Sequence, residues 1–143
     1  MNFLFRAVIL SACSTLLATS LHAHSPAEDA DIGIKILYET GPLPAMTQQK
    51  STLTFLIRDL NAEEGAEPVA GVIENTFVTI KKGEKLWGPF EVKESSRNPG
   101  KLTLDKVFAE PGEYEVYLSF NKTGDDTPRE FHWDSEIADW NDL

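Results

Sequence analysis

The chain has 143 residues, a net charge of −10 and a single cysteine, Cys13. That length fits one ordinary domain with a real hydrophobic core. The acidic balance argues against nucleic acid and anionic membranes as partners, because such a surface repels both, and beyond Cys13 no disulfide or thiol chemistry is available.

Residues 1–23 read as a secretory signal peptide. Met1-Asn2-Phe3-Leu4-Phe5-Arg6 carries one positive charge, residues 7–17 are apolar and uncharged, and residues 18–23 are shorter and more polar. This order marks an export signal, and the apolar stretch is shorter than the roughly 20 residues a spanning helix needs. Cleavage after Ala23 places a small residue at the cut and makes His24 the new amino terminus. Cleavage after Ser20 would use Ala18 and Ser20 as the small pair. A lipoprotein reading takes Leu10-Ser11-Ala12-Cys13 as a lipid-attachment site. It leaves only residues 7–10 as an apolar core, against about 7–15 in ordinary signals. The expectation adopted is cleavage after Ala23 and a periplasmic or secreted protein without a membrane span. That leaves 120 residues and, since Arg6 departs, a net charge of −11 with His neutral.

Residues 24–31 are polar and acidic and read as a flexible arm. Strand signals then recur at short intervals. Residues 32–38 are the first, broken by Gly41-Pro42-Leu43-Pro44. Residues 51–59 are the second, with Leu53, Phe55 and Ile57 alternating on one face. Residues 60–71 form a long acidic loop. Residues 72–80 are rich in β-branched side chains and form the third strand, followed by the charged turn Lys81-Lys82-Gly83-Glu84-Lys85. Residues 86–93 make a weaker strand. Gly88-Pro89 interrupts it, which marks an edge or a bulge because proline cannot donate to a ladder.

After a loop over 95–100, residues 101–108 carry Leu102 and Leu104 on one face. Pro111-Gly112 turns the chain into residues 114–120, where Tyr114, Val116, Leu118 and Phe120 share a face. The last strand spans about 130–137, with Phe131, Trp133 and Ile137 inward, and residues 138–143 are an acidic tail. About seven short strands in residues 32–137, with no helical period, predict an all-β, immunoglobulin-like antiparallel sandwich. Glu110-Pro111-Gly112-Glu113-Tyr114 has the form of a corner in which the tyrosine hydroxyl ties to nearby backbone.

The chain has no phosphate-cradling glycine loop, no zinc-protease histidine pair and no dinucleotide fingerprint. A serine triad needs a histidine in a cleft, and only His132 stands outside the arm and the signal. Two features remain that could carry chemistry. A terminal His24 offers its amine and imidazole to one copper ion, imidazole being a favoured ligand for such metals. In Glu130-Phe131-His132-Trp133-Asp134-Ser135-Glu136, strand alternation puts Glu130, His132, Asp134 and Glu136 on one face. Residues two apart on a strand lie about 6.6–6.8 Å apart along its axis, so His132 and Asp134 could share an ion. The candidate metal ligands are therefore His24, His132 and Asp134. The competing reading is a solvated outer face and an accident of the cut site. One Met, Met46, follows the signal's own, too few soft thioethers for a cuprous carrier. Of the tryptophans, Trp133 reads as core and Trp140 as an anchor for the tail. Trp87, Trp133 and Trp140 in a row would instead make a sugar platform.

From residue 37 to residue 120 the chain resembles the YtkA-like group of small exported immunoglobulin-like domains. The residues that carry the likeness are Ser51-Thr52-Leu53-Thr54-Phe55-Leu56-Ile57-Arg58-Asp59, Pro68-Val69-Ala70-Gly71, Phe77-Val78-Thr79-Ile80 and Pro111-Gly112-Glu113-Tyr114-Glu115-Val116. The resemblance implies a non-enzymatic exported domain. This group and the similar CopC-like sandwiches are linked with periplasmic copper handling, and the CopC-like ligands are an N-terminal His and a late Asp-x-His. His24 matches the first; His132-Trp133-Asp134 has the second in reverse order. The expected function is an exported binding or accessory domain, with copper as its sharpest candidate ligand and an unidentified protein partner as the other. The rivals are a structural partner that pairs through the edge strand at 86–93, and a copper oxidase in which His24 and His132 brace one ion.

Overall fold

The structure is a computed structural model and describes residues 25–142. Eight strands form two four-stranded antiparallel sheets. The strands are β1 (Ala27–Asp29), β2 (Ile34–Gly41), β3 (Lys50–Asp59), β4 (Ile73–Lys82), β5 (Lys85–Glu91), β6 (Lys101–Val107), β7 (Gly112–Lys122) and β8 (Arg129–Ile137). One sheet has the order β1-β2-β3-β6 and the other β5-β4-β7-β8. The chain passes between the sheets after β3, β5 and β6, the Greek-key wiring of an immunoglobulin-like sandwich. The sequence-based expectation of about seven strands holds for β2 to β8.

The eighth strand corrects the expectation for the arm. Residues 27–29 are not loose: they pair with β2 in the register Ala27 to Ile36 and Asp29 to Ile34. Hydrophobic alternation is too short to detect over three residues, and long-range contacts hold this strand in place. Both oxygens of Asp29 accept from Arg129 Nη1, at 2.8 and 2.6 Å. Ser25 O accepts from Trp133 Nε1 at 3.3 Å. These bonds join the outer strand of one sheet to β8, the outer strand of the other. Burial alone would raise the Asp29 carboxyl, but the hydrogen bond and charge of Arg129, with the amides of Ile32 and Asp31, lower it overall.

The core follows the alternation read from sequence. Ile34, Ile36 and Tyr38 of β2 and Leu53, Phe55 and Ile57 of β3 are buried against Val116, Leu118, Phe120 and Trp133 of the opposite sheet. Tyr38 stacks on Trp133 with ring centroids 5.4 Å apart. Buried hydroxyls need a partner, and Tyr38 meets Ser135 Oγ at 3.1 Å across the two sheets. Ser135 is thus an inward residue of β8 that hydrophobicity does not flag. The tyrosine corner is present: Tyr114 is buried and its hydroxyl donates to the Glu110 carbonyl at 2.6 Å.

The interrupted fifth strand is both an edge and bulged. Its register slips between Val78 and Ile80 of β4, where Gly88 takes φ +104 and an added Cβ would lie 2.7 Å from the Val78 carbonyl oxygen. A second slip, between Glu74 and Phe77, bulges β4 against β7 at Asn75.

Candidate functional site

The outer face of β7 and β8 carries the candidate ligands in the described region. Glu130, His132, Asp134 and Glu136 are all exposed there, as alternation predicts. Across the ladder His132 lies opposite Tyr117, Asp134 opposite Glu115 and Glu136 opposite Glu113. The His132 and Tyr117 rings stack with centroids 5.5 Å apart. The Tyr117 hydroxyl donates to Glu115 Oε2 at 2.7 Å, a bond that raises its pKa above the ordinary phenol value. Two acidic pairs face each other directly, an arrangement that destabilises a bare sheet and favours bound cations.

His132 and Asp134 share this face. His24, the third predicted ligand, and Cys13 lie outside the described residues, together with the predicted signal peptide. Among the described residues no group of three or more His, Cys, Asp or Glu side chains is disposed to hold a metal ion. His132 and Asp134 supply two donors of suitable type, so a closed coordination set requires a donor from elsewhere in the chain. The described residue nearest in sequence to His24 is Ser25, and its carbonyl is bound to the inward-facing indole of Trp133, on the face of β8 opposite to His132 and Asp134. No periodicity in the sequence signals that cross-sheet contact.

On the opposite side of the sandwich the two sheets stay apart. Edge strands β5 and β6 flank a cleft of about 260 Å³ that includes Lys85, Trp87, Lys106, Phe108, Glu110 and Tyr114 in its lining. The Trp87 and Tyr114 rings are 5.7 Å apart, and Phe108 packs 4.7 Å from Tyr114. Lys106 points inward from β6, with Nζ 5.7 Å from the Trp87 ring centre and 5.8 Å from that of Phe90. An inward lysine on an edge strand also discourages pairing with another chain. Glu110 holds Lys85 at 2.8 Å and Lys82 at 3.5 Å. The mutual hydrogen bond raises the lysine pKa and lowers the glutamate pKa. Sequence reading missed this cleft because β5, β6 and the Glu110 corner are joined only by the fold.

The tryptophans do not form a row. Trp133 is core, Trp87 lines the cleft and Trp140 is 46% exposed. The tail is anchored differently from the expectation. Backbone bonds join Ala138 to Ala45 and Thr47, and Thr47 Oγ1 accepts from the Trp140 amide at 3.0 Å, while the indole faces solvent. Met46 is a half-buried loop residue beside this junction.

Fold and surface together define an all-β sandwich with one latched side and one open side. No family model, curated protein or solved structure matches the chain.

Proposed function

We propose that the chain is an exported, non-enzymatic accessory domain of the YtkA-like and CopC-like kind, which binds divalent copper through His24, His132 and Asp134. The observation that carries this reading is the outer face of β8, where His132 and Asp134 are both exposed beside the acidic residues of β7. Imidazole and carboxylate donors suit divalent copper, and the facing pairs Asp134–Glu115 and Glu136–Glu113 add negative charge around the ion. Short motifs support the family reading: the 51–59 run lies in β3, Pro68 to Gly71 leads into β4, and Pro111 to Tyr114 opens β7.

The terminal amine is one of the ligands, so binding needs a free amino terminus at His24. Imidazole must be neutral to ligate, so copper binding competes with protons and weakens in acid. The test is calorimetric copper titration of three proteins: the chain beginning at His24, the same chain with one extra residue before it, and His132→Ala. Tight binding by the first and at least tenfold weaker binding by the other two is the expected result. Equal, micromolar or weaker binding by all three means the acidic surface merely collects cations, and the copper reading falls. Turnover of a reductant with added copper would favour the histidine-brace oxidase instead. Strand pairing at β5 has less support, because Pro89 and the bulge interrupt that edge,.

A further inference from the structure

Large exposed apolar side chains are not spread over the described surface. Leu43, Leu86, Val107 and Trp140 are 65%, 63%, 54% and 46% exposed. All four lie at one end of the sandwich. Leu43 is in the β2–β3 connection, Leu86 follows the β4–β5 turn, Val107 ends β6, and Trp140 is in the tail after β8. Backbone bonds from Thr47 to Ala138 and from Gln48 to Phe108 knit these loops together. Single exposed apolar residues are ordinary; their concentration at one end marks an interaction surface.

This end holds two features of complementary chemistry. One is the cleft, with Trp87 and Tyr114 inside and Lys82, Lys85 and Lys106 around it; Glu110 also lines it and binds Lys82 and Lys85, which leaves the rim net positive. Its volume of about 260 Å³ is that of a side-chain pocket rather than a site for a drug-sized ligand, which takes roughly 300–1,000 Å³,. The other is the tail, a short 3-10 turn Trp140–Asp142 that presents an exposed indole between Asp139 and Asp142. An aromatic anchor flanked by carboxylates is what an aromatic cleft with a net positive rim accepts. The tail of the same molecule is committed elsewhere, since its backbone is bound to Ala45 and Thr47 beside β8. In their sheet β5 and β8 are opposite edges, with β4 and β7 between them.

We infer that the occupant of the cleft is the tail of a second copy of this chain. Trp140 of one protomer enters beside Trp87 and Tyr114 of its partner, and Asp139 and Asp142 face Lys85 and Lys106. Cleft and tail lie at the same end, so two molecules meeting end to end about a two-fold axis make both contacts at once, the closed isologous arrangement. Repulsion between two cleaved chains of net charge −11 opposes the contact, and salt at about 0.15 M screens that repulsion beyond about 8 Å. The dimer is therefore expected at micromolar or higher concentration.

The test is sedimentation velocity of the full cleaved chain in 0.15 M salt from about 1 µM to about 1 mM, the range of weak to moderate affinity. The expected result is a shift from monomer to dimer across that range. Trp140→Ala should weaken it at least tenfold, and this exposed site leaves the core intact. Two charge variants complete the experiment: Lys85→Glu with Lys106→Glu, and Asp139→Lys with Asp142→Lys. Each alone should stay monomeric, whereas an equal mixture should form heterodimers, because both tail-and-cleft contacts then pair opposite charges. A wild type that stays monomeric throughout overturns the inference. So does a dimer that survives Trp140→Ala undiminished, or folded charge variants that fail to associate when mixed.

Discussion

Asp29 shows how one exposed-looking residue of an acidic arm becomes structural. Its side chain is 11% exposed and that of Arg129 20%, so the pair is shielded from water enough to contribute. The folded carboxyl titrates below its unfolded value. Its contribution is therefore complete above the unfolded pKa of about 3.9 and is lost as pH falls through the lower folded value. Asp29→Asn should cost about 1.5 kcal/mol at neutral pH, in line with a hydrogen bond to a charged group. It should also flatten the acid limb of the stability curve below about pH 4. Urea unfolding of both proteins at pH 3 and pH 7 measures this; equal differences at the two pH values would mean the latch carries no linked proton. His132, by contrast, was visible in sequence as an outward residue of the last strand. Its stacking on Tyr117 was not, since that depends on the β7–β8 register.

At the scale of elements, the strands that alternate cleanly were legible: β3 and β7 lie where the sequence put them, within a residue or two of each end. The fifth strand was also legible as an edge, because Gly88-Pro89 states the interruption locally. β1 was not legible, since three residues carry no period and its stability comes from β2 and β8. The lead-in to β6 is similar. Gly100 has φ +78, and a Cβ there would lie 2.6 Å from both the Val69 carbonyl oxygen and the Pro68 Cβ. The Gly100 carbonyl accepts from the Ile57 amide at 2.9 Å, and its amide donates to Glu94 Oε2 at 3.2 Å. Gly100→Ala should therefore destabilise by about 2 kcal/mol or more, the sum of a strained backbone and a backbone clash. A loss of unfolding free energy of less than about 0.5 kcal/mol would show that the 60–72 connection yields easily.

At the scale of the molecule, the two open flanks of the sandwich differ. The β1–β8 flank is latched by Asp29–Arg129 and Ser25–Trp133, and the β5–β6 flank keeps an aromatic cleft. The proposed copper ligands belong to the first flank and the proposed self-association to the end beside the second. Both rest on the proposal that the chain is exported and cleaved. Intact-mass analysis of the protein recovered from its native compartment should give a chain starting at His24. A chain that retains Arg6 overturns the export reading, and a lipid on Cys13 changes it to a tethered domain and removes the His24 ligand.

The sequence by itself determined the class of fold. Period-2 alternation in β2, β3, β7 and β8 assigns each side chain to a face, and Gly and Pro mark the breaks; both are local properties of the chain. It also determined the corner at Tyr114, whose partner Glu110 is four residues away. Only the tertiary structure decided the strand order, the pairing of β1, the burial of Ser135 on Tyr38, and the cleft between β5 and β6. Each joins residues distant in the chain: Asp29 and Arg129 are 100 apart, Tyr38 and Ser135 97. Local patterning says which face a residue takes, but not which residue it meets across the sandwich, because register and sheet packing are settled by the assembled core.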